Sequence, residues 1–213
     1  MNFSMVSEKG GVAKTTSAIH LAAHLATFAP TLILDQDRSG NASGWATRGN
    51  LPIKALRMNQ KGVHEALREH THLVIDTRGG MDDQDLRDVY ENSDQVIIPV
   101  VPDMMTLQAL EKTANVLRGI DPTLSRLRVL FTMVRKIQGR SDAMENARNI
   151  IETHYDIRCL KATIRQTEAF REASNQGQLV KDTKNALGKT AWLDYEQALR
   201  EIAPQLWLEV KAV

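Results

Sequence analysis

The sequence predicts an α/β fold: one doubly wound, mostly parallel sheet with helices on both faces. Three observations carry that expectation. Short β-type runs alternate with longer helical ones along the 213 residues, and no internal repeat is visible. Several of the short runs, residues 95–101 among them, are almost entirely Val, Ile and Leu, as parallel strands covered on both faces require. The first run leads directly into a glycine-bearing loop that opens a helix. In such sheets ligands sit at the carboxyl ends of the strands, so the loops that follow strands are where chemistry is sought.

Each element follows from its own pattern. Strands are expected at residues 2–7, 31–35, 53–56, 73–76, 95–101, 128–133 and 158–160. After the first strand, Ala18, Leu21, Ala22 and Leu25 make one apolar stripe of a helix. Leu107, Leu110, Ala114 and Leu117 make a second after the fifth strand, and Met144, Ala147 and Ile151 a third after the sixth. Trp192, Tyr195, Leu199, Ile202 and Leu206 form a last stripe, which Pro204 is expected to kink or divide.

Composition excludes several classes. Hydrophobic residues at 42% and charged residues at 25% rule out disordered and fibrous chains. The apolar runs are too short to span a bilayer, and residues 1–6 lack the basic flank and apolar length of a signal peptide. A single cysteine, Cys159, leaves no disulfide framework and no Cys-rich metal site. A soluble, cytoplasmic protein without membrane attachment is expected. The net charge of +1 conceals an asymmetry: residues 126–189 hold thirteen Lys/Arg against seven Asp/Glu, and the rest of the chain is net negative. That is a mild sign of a polyanion-binding face.

The loop after the first strand reads Ser7-Glu8-Lys9-Gly10-Gly11-Val12-Ala13-Lys14-Thr15-Thr16. Its glycines let backbone N–H groups approach a ligand, and the helix N-terminus that follows adds oriented donors. Lys14 supplies a point charge for terminal phosphates and Thr15 a hydroxyl for Mg²⁺. The common phosphate-loop pattern wants glycine where this chain has Glu8 and Ala13, so what fits is the variant K-G-G-x-x-K-T-T with an added lysine, Lys9. His20 and His24 have i,i+4 spacing compatible with zinc, but no third ligand follows them.

Taken with the later motifs, the chain resembles the ParA/MinD family of deviant Walker A ATPases, a branch of the P-loop NTPases. Asp35-Gln36-Asp37-Arg38-Ser39-Gly40-Asn41-Ala42 is similar to that family's switch I segment, Val74-Ile75-Asp76-Thr77 to its Walker B segment, and residues 94–100 to the strand that follows. The resemblance implies a single P-loop ATPase domain over residues 1–213, of the short ParF-like type without an N-terminal helix-turn-helix. It implies hydrolysis of ATP with Mg²⁺, an ATP-dependent homodimer, nonspecific DNA binding on the nucleoid, and a ParB-like or cargo-adaptor partner. The role would be plasmid segregation or cargo positioning, carboxysomes included. A biosynthetic ligase or synthetase on the same fold is the alternative.

The resemblance also implies roles. Gly10, Gly11, Val12, Ala13, Lys14, Thr15 and Thr16 would hold the ATP phosphates, with Thr15, Asp37 and Asp76 around Mg²⁺. Lys9, Lys14 and Asp37 would be catalytic, Asp37 positioning the attacking water, with Asp35 the competing choice. Lys9 would reach across the dimer to the partner's ATP. Arg165, Arg171, Lys181, Lys184 and Lys189 are the candidate DNA contacts, in a stretch polar enough to be expected to stay exposed. Three departures stand out: Ala13 for glycine, Arg38-Ser39 in switch I, and Arg78-Gly79-Gly80 after Walker B, which places a further cation near the phosphates.

Overall fold

The computed structural model describes residues 1–49, 51–135 and 142–209. Seven strands form one parallel sheet in the order β3-β2-β4-β1-β5-β6-β7. They are β1 (Asn2–Met5), β2 (Thr31–Asp35), β3 (Lys54–Arg57), β4 (His72–Asp76), β5 (Gln95–Val100), β6 (Leu127–Val134) and β7 (Cys159–Arg165). The helices are α1 (Lys14–Leu25), α2 (Asn41–Arg48), α3 (Val63–Glu69), α4 (Asp83–Glu91), α5 (Met104–Arg118), α6 (Asp142–Asn149), α7 (Ala169–Gln176), α8 (Gly188–Ile202) and α9 (Gln205–Glu209). This is the expected doubly wound fold.

Strand alternation sorts the side chains into two layers. Phe3, Met5, Ile33, Val74, Ile97 and Leu130 pack in one core with α1, α2, α7 and α8. Val96, Ile98, Val129 and Phe131, one residue out of step, pack on the other face with α4, α5 and α6. Leu32, Leu34 and Ile75 extend that second face beneath α3. Burial on both sides explains why the strand sequences are nearly continuous apolar runs.

All seven expected strands are present; β2 keeps its expected bounds, β4, β5 and β6 shift by one residue at one end or both, and β1 is shortened, β3 displaced and β7 lengthened. β1 stops at Met5, because Ser7 already belongs to the phosphate loop, where its hydroxyl donates to the Lys9 carbonyl. β3 lies one residue later than expected. β7 runs on to Arg165 rather than ending at Leu160. As the edge strand it alternates buried Leu160, Ala162 and Ile164 with polar Lys161, Thr163 and Arg165, and a half-solvated face does not read as an apolar run. The last helical stripe divides where Pro204 stands, between α8 and α9.

Candidate active site at the carboxyl ends of β1, β2 and β4

Strand register places the site. β4 lies between β1 and β2, with Met5 and Asp35 both opposite Asp76, so the loops leaving β1 and β2 converge on that carboxylate. The loop from β1 turns through Gly11 at φ +77° and Ala13 at φ +67° into α1. A side chain added at Gly10 or Gly11 would meet nothing within 4 Å, so the loop faces open space. Ala13 occupies the left-handed conformation that favours glycine, which is why related patterns place glycine there. Val12 is buried, its carbonyl accepting from Thr132 Oγ1 at 3.0 Å, so the loop is anchored onto β6.

Lys14 is the centre of the polar constellation. Its ammonium donates to Asp76 Oδ1 at 3.2 Å and to the Thr77 carbonyl, and lies 3.9 Å from Asp37 Oδ2. Thr15 Oγ1 donates to the other Asp76 oxygen at 2.7 Å. Burial raises the Asp76 carboxyl above its ordinary value, and the opposing pull of Lys14 and Thr15 does not fully offset it. The structure thus brings Lys14, Thr15, Asp37 and Asp76 together. Thr16 lies one residue further into α1, its carbonyl 2.7 Å from His20 Nδ1.

Asp35 and Asp37, which the sequence leaves in competition, have different surroundings. Asp35 is buried, and its two oxygens accept from Asp37 N at 3.1 Å and Ser43 N at 2.8 Å. It organises the switch loop and the start of α2. Asp37 accepts from Ser39 N and Ser39 Oγ on Oδ1, while Oδ2 turns toward Lys14. Ser39 therefore has a definite place, fixing the Asp37 rotamer. Its hydroxyl is also the main cause holding the Asp37 carboxyl below its ordinary value.

Lys9 lies apart from the phosphate loop's interior, with its ammonium on Asp103 and Thr106 at the start of α5. Arg78 turns away from the constellation and pairs with Asp85, and with Asp82 at 3.7 Å. A cavity of about 520 Å³ opens beside Ala13 and Thr16, walled by Met133, Gln166, Phe170 and Tyr195. Neither this cavity nor the Asp103–Thr106 pair stands out in the sequence alone. Asp103 did carry a signal, an N-cap residue just before the apolar stripe of α5, but that signal marks a helix start rather than a ligand.

The two histidines of α1 are packing residues. Val180 N donates to His20 Nε2 at 3.1 Å, so Nδ1 carries the proton given to the Thr16 carbonyl, and neither nitrogen is left for a metal. Tyr195 stacks on His20, with Trp45 and Phe170 edge-on. His24 stacks on Trp192, and no third His, Cys, Asp or Glu completes a metal group among the described residues. Desolvation lowers both imidazoles to about 4. Burial likewise pushes the Cys159 thiol up to about 12, which leaves it inert.

The candidate DNA residues do not share one environment. Arg165 corrects the expectation of a wholly exposed set: it is half-buried in a two-pronged pair with Asp194, at 2.6 and 2.7 Å. Arg171 is exposed and paired with Glu168, and Lys181 sits 4.6 Å over the Trp192 ring. Lys184 and Lys189 are exposed. Lys136 and Arg140, two of the cations behind the charge asymmetry, lie outside the described residues. No helix among the described residues is long and apolar enough to cross a membrane.

Comparison with known proteins agrees with this geometry. Residues 3–180 match the model of the CobQ/CobB/MinD/ParA nucleotide binding domain. The chain is 31% identical over 204 residues to the maintenance of carboxysome distribution protein A of Gloeobacter kilaueensis, covering 93% of this chain and 92% of that one. It is 30% identical over 179 residues to the chromosome-partitioning ATPase Soj of Treponema pallidum, covering 72% and 71%. A plasmid partition protein of Borrelia burgdorferi bound to AMPPNP superposes with a TM-score of 0.70 at 19% identity, covering 94% of this chain and 99% of that one. With that model matched over residues 3–180 and a relative 31% identical along most of its length, the chain belongs to the CobQ/CobB/MinD/ParA family of nucleotide-binding domains.

Proposed function

We propose that this protein is a partition or positioning ATPase that hydrolyses ATP with Mg²⁺ and dimerises in its ATP state. The observation that carries the reading is the Lys14–Thr15–Asp76–Asp37 constellation beside an open phosphate loop. The donor set suits a small hard cation: a threonine hydroxyl 2.7 Å from a buried carboxylate, with a second carboxylate near. Bound Mg²⁺ would neutralise charge on the terminal phosphates, and Thr15, Asp76 and Asp37 are the residues that would hold it. Lys14 would exchange its contacts with Asp76 and Thr77 for the β- and γ-phosphates, releasing the carboxylate. Asp37, fixed by Ser39, would orient the attacking water with the oxygen that faces Lys14. Gly10, Gly11, Val12, Ala13 and Thr16 would line the phosphates, and the cavity at Met133, Gln166 and Phe170 would take the base. Lys9 would act across the dimer, by the logic of a cation supplied in trans.

The similarity to chromosome-partitioning and carboxysome-distribution proteins supports an adaptor protein on a cargo as the partner. Nucleoid DNA is the matrix of this reading, and the protein is cytoplasmic. Arg171 on α7, Lys181 and Lys184 between α7 and α8, and Lys189 in the first turn of α8 would supply the phosphate contacts, with Arg165 left to Asp194. The test is ATP turnover with and without duplex DNA, alongside DNA gel shifts in ATP and in ADP at two salt concentrations. Binding in ATP alone, weakened by about 0.9 log units per log of salt for each phosphate contact, is the expected result. Equal DNA affinity in both nucleotides overturns the switch, and turnover that requires a small-molecule co-substrate selects the synthetase instead.

A further inference from the structure

The lip of the phosphate loop is tied to α5 at two points. Lys9 Nζ lies 3.1 Å from each carboxylate oxygen of Asp103 and 3.3 Å from Thr106 Oγ1, so its donors are committed within its own subunit. One residue earlier, Glu8 Oε1 lies 3.2 Å from Lys112 Nζ on the same helix. Asp103 is a firm anchor. It is the N-cap of α5, and its Oδ1 accepts from Thr106 N at 2.8 Å and Thr106 Oγ1 at 2.9 Å. Burial would raise its carboxyl, but the Thr106 N–H and Lys9 outweigh it and hold the group below its ordinary value.

We propose that Asp103 and Thr106 are positioning residues for Lys9, holding its ammonium in cis and so competing with its reach across the dimer. This rests on the ATP-dependent dimer proposed above. With its three donors on Asp103 and Thr106, the ammonium has none left for a second subunit's phosphates, so dimerisation must first open this clasp. The Lys9 and Asp103 side chains are 34% and 40% exposed, and solvent screening keeps such a pair weak enough to open. Removing the acceptor charge shifts the population toward a released Lys9, and an exposed pair of this kind corresponds to about a two- to five-fold change in the equilibrium.

Asp103→Asn is the clean probe, because asparagine caps a helix about as well as aspartate while carrying no charge. Sedimentation velocity across a series of AMPPNP concentrations reads the midpoint of dimerisation for wild type and Asp103→Asn at low and high salt. The clasp predicts a midpoint two- to five-fold lower in Asp103→Asn, with the gap narrowing at high salt, where the wild-type pair is itself screened. A purely capping role for Asp103 gives no such salt-dependent gain. Thr106→Val, near-isosteric at this buried position, removes only the hydroxyl bond and should move the midpoint the same way by less. A wild type that dimerises while both variants match it or need more nucleotide overturns the clasp and leaves the ATPase reading standing. A wild type that stays monomeric at every concentration overturns the dimer, and the clasp with it.

Discussion

The two ends of helix α1 handle buried polarity in opposite ways. At its N-terminus Lys14 and Thr15 face Asp76 and Asp37, and charge is kept by pairing. Later in the same helix His20 and His24 are driven neutral by burial and packed among Trp45, Trp192 and Tyr195. A paired charge can change partners when a ligand arrives, whereas a neutral imidazole with both nitrogens engaged cannot. The difference separates the part of the helix proposed to react from the part that fixes it against α8.

If this contrast holds, the largest effect comes from the reacting end. Lys14→Ala should lower kcat/KM for ATP by on the order of 10²–10³-fold, since the terminal phosphates lose their main cation. Steady-state turnover checks it, with circular dichroism confirming the fold. Asp35→Ala tests the boundary between the two kinds of residue. It strips acceptors from two backbone N–H groups and should cost about 1–3 kcal/mol for each, read by denaturant unfolding.

The fixed end is probed by pH. His20 and His24 are ordinary near 6.5 when unfolded and about 4 when folded. Below 6.5 the unfolded chain binds the protons, so stability should fall as pH drops from about 6.5 toward 4. NMR titration should find both imidazoles still neutral at a pH near 5.5, and protonation there would show that the packing is looser than described. The smallest effect belongs to Ala13→Gly. Relief of a left-handed alanine, less the added freedom of the unfolded chain, should stabilise the protein by about 0.5–1 kcal/mol, read as a shift in thermal midpoint.

The reacting end was the legible one. Glycines, Lys14, Thr15 and the strand-ending Asp76 stand at spacings that suggest a phosphate loop, and strands such as β2, β5 and β6 announced themselves as apolar runs. The fixed end was not. His20 and His24 show zinc-like spacing, and nothing local reveals that Val180, 160 residues away, occupies His20 Nε2. Asp35 and Asp37 were told apart only by the resemblance, since the contacts that distinguish them, Ser43 N on one and Lys14 beside the other, form through space. Arg165 looked like an exposed cation until Asp194 on α8 was found beside it. The short polar helices α2, α3 and α7 lacked a stripe long enough to mark them, being seven or eight residues each.

Asp37, with one oxygen fixed by Ser39 and the other facing Lys14, is proposed to position the water that cleaves ATP. Asp37→Ala tests it most directly, with ATP binding followed by a fluorescent analogue and turnover by phosphate release on the same preparation. Binding close to wild type with turnover lowered by at least about 10²-fold is the expected result. Turnover at the wild-type rate would contradict it.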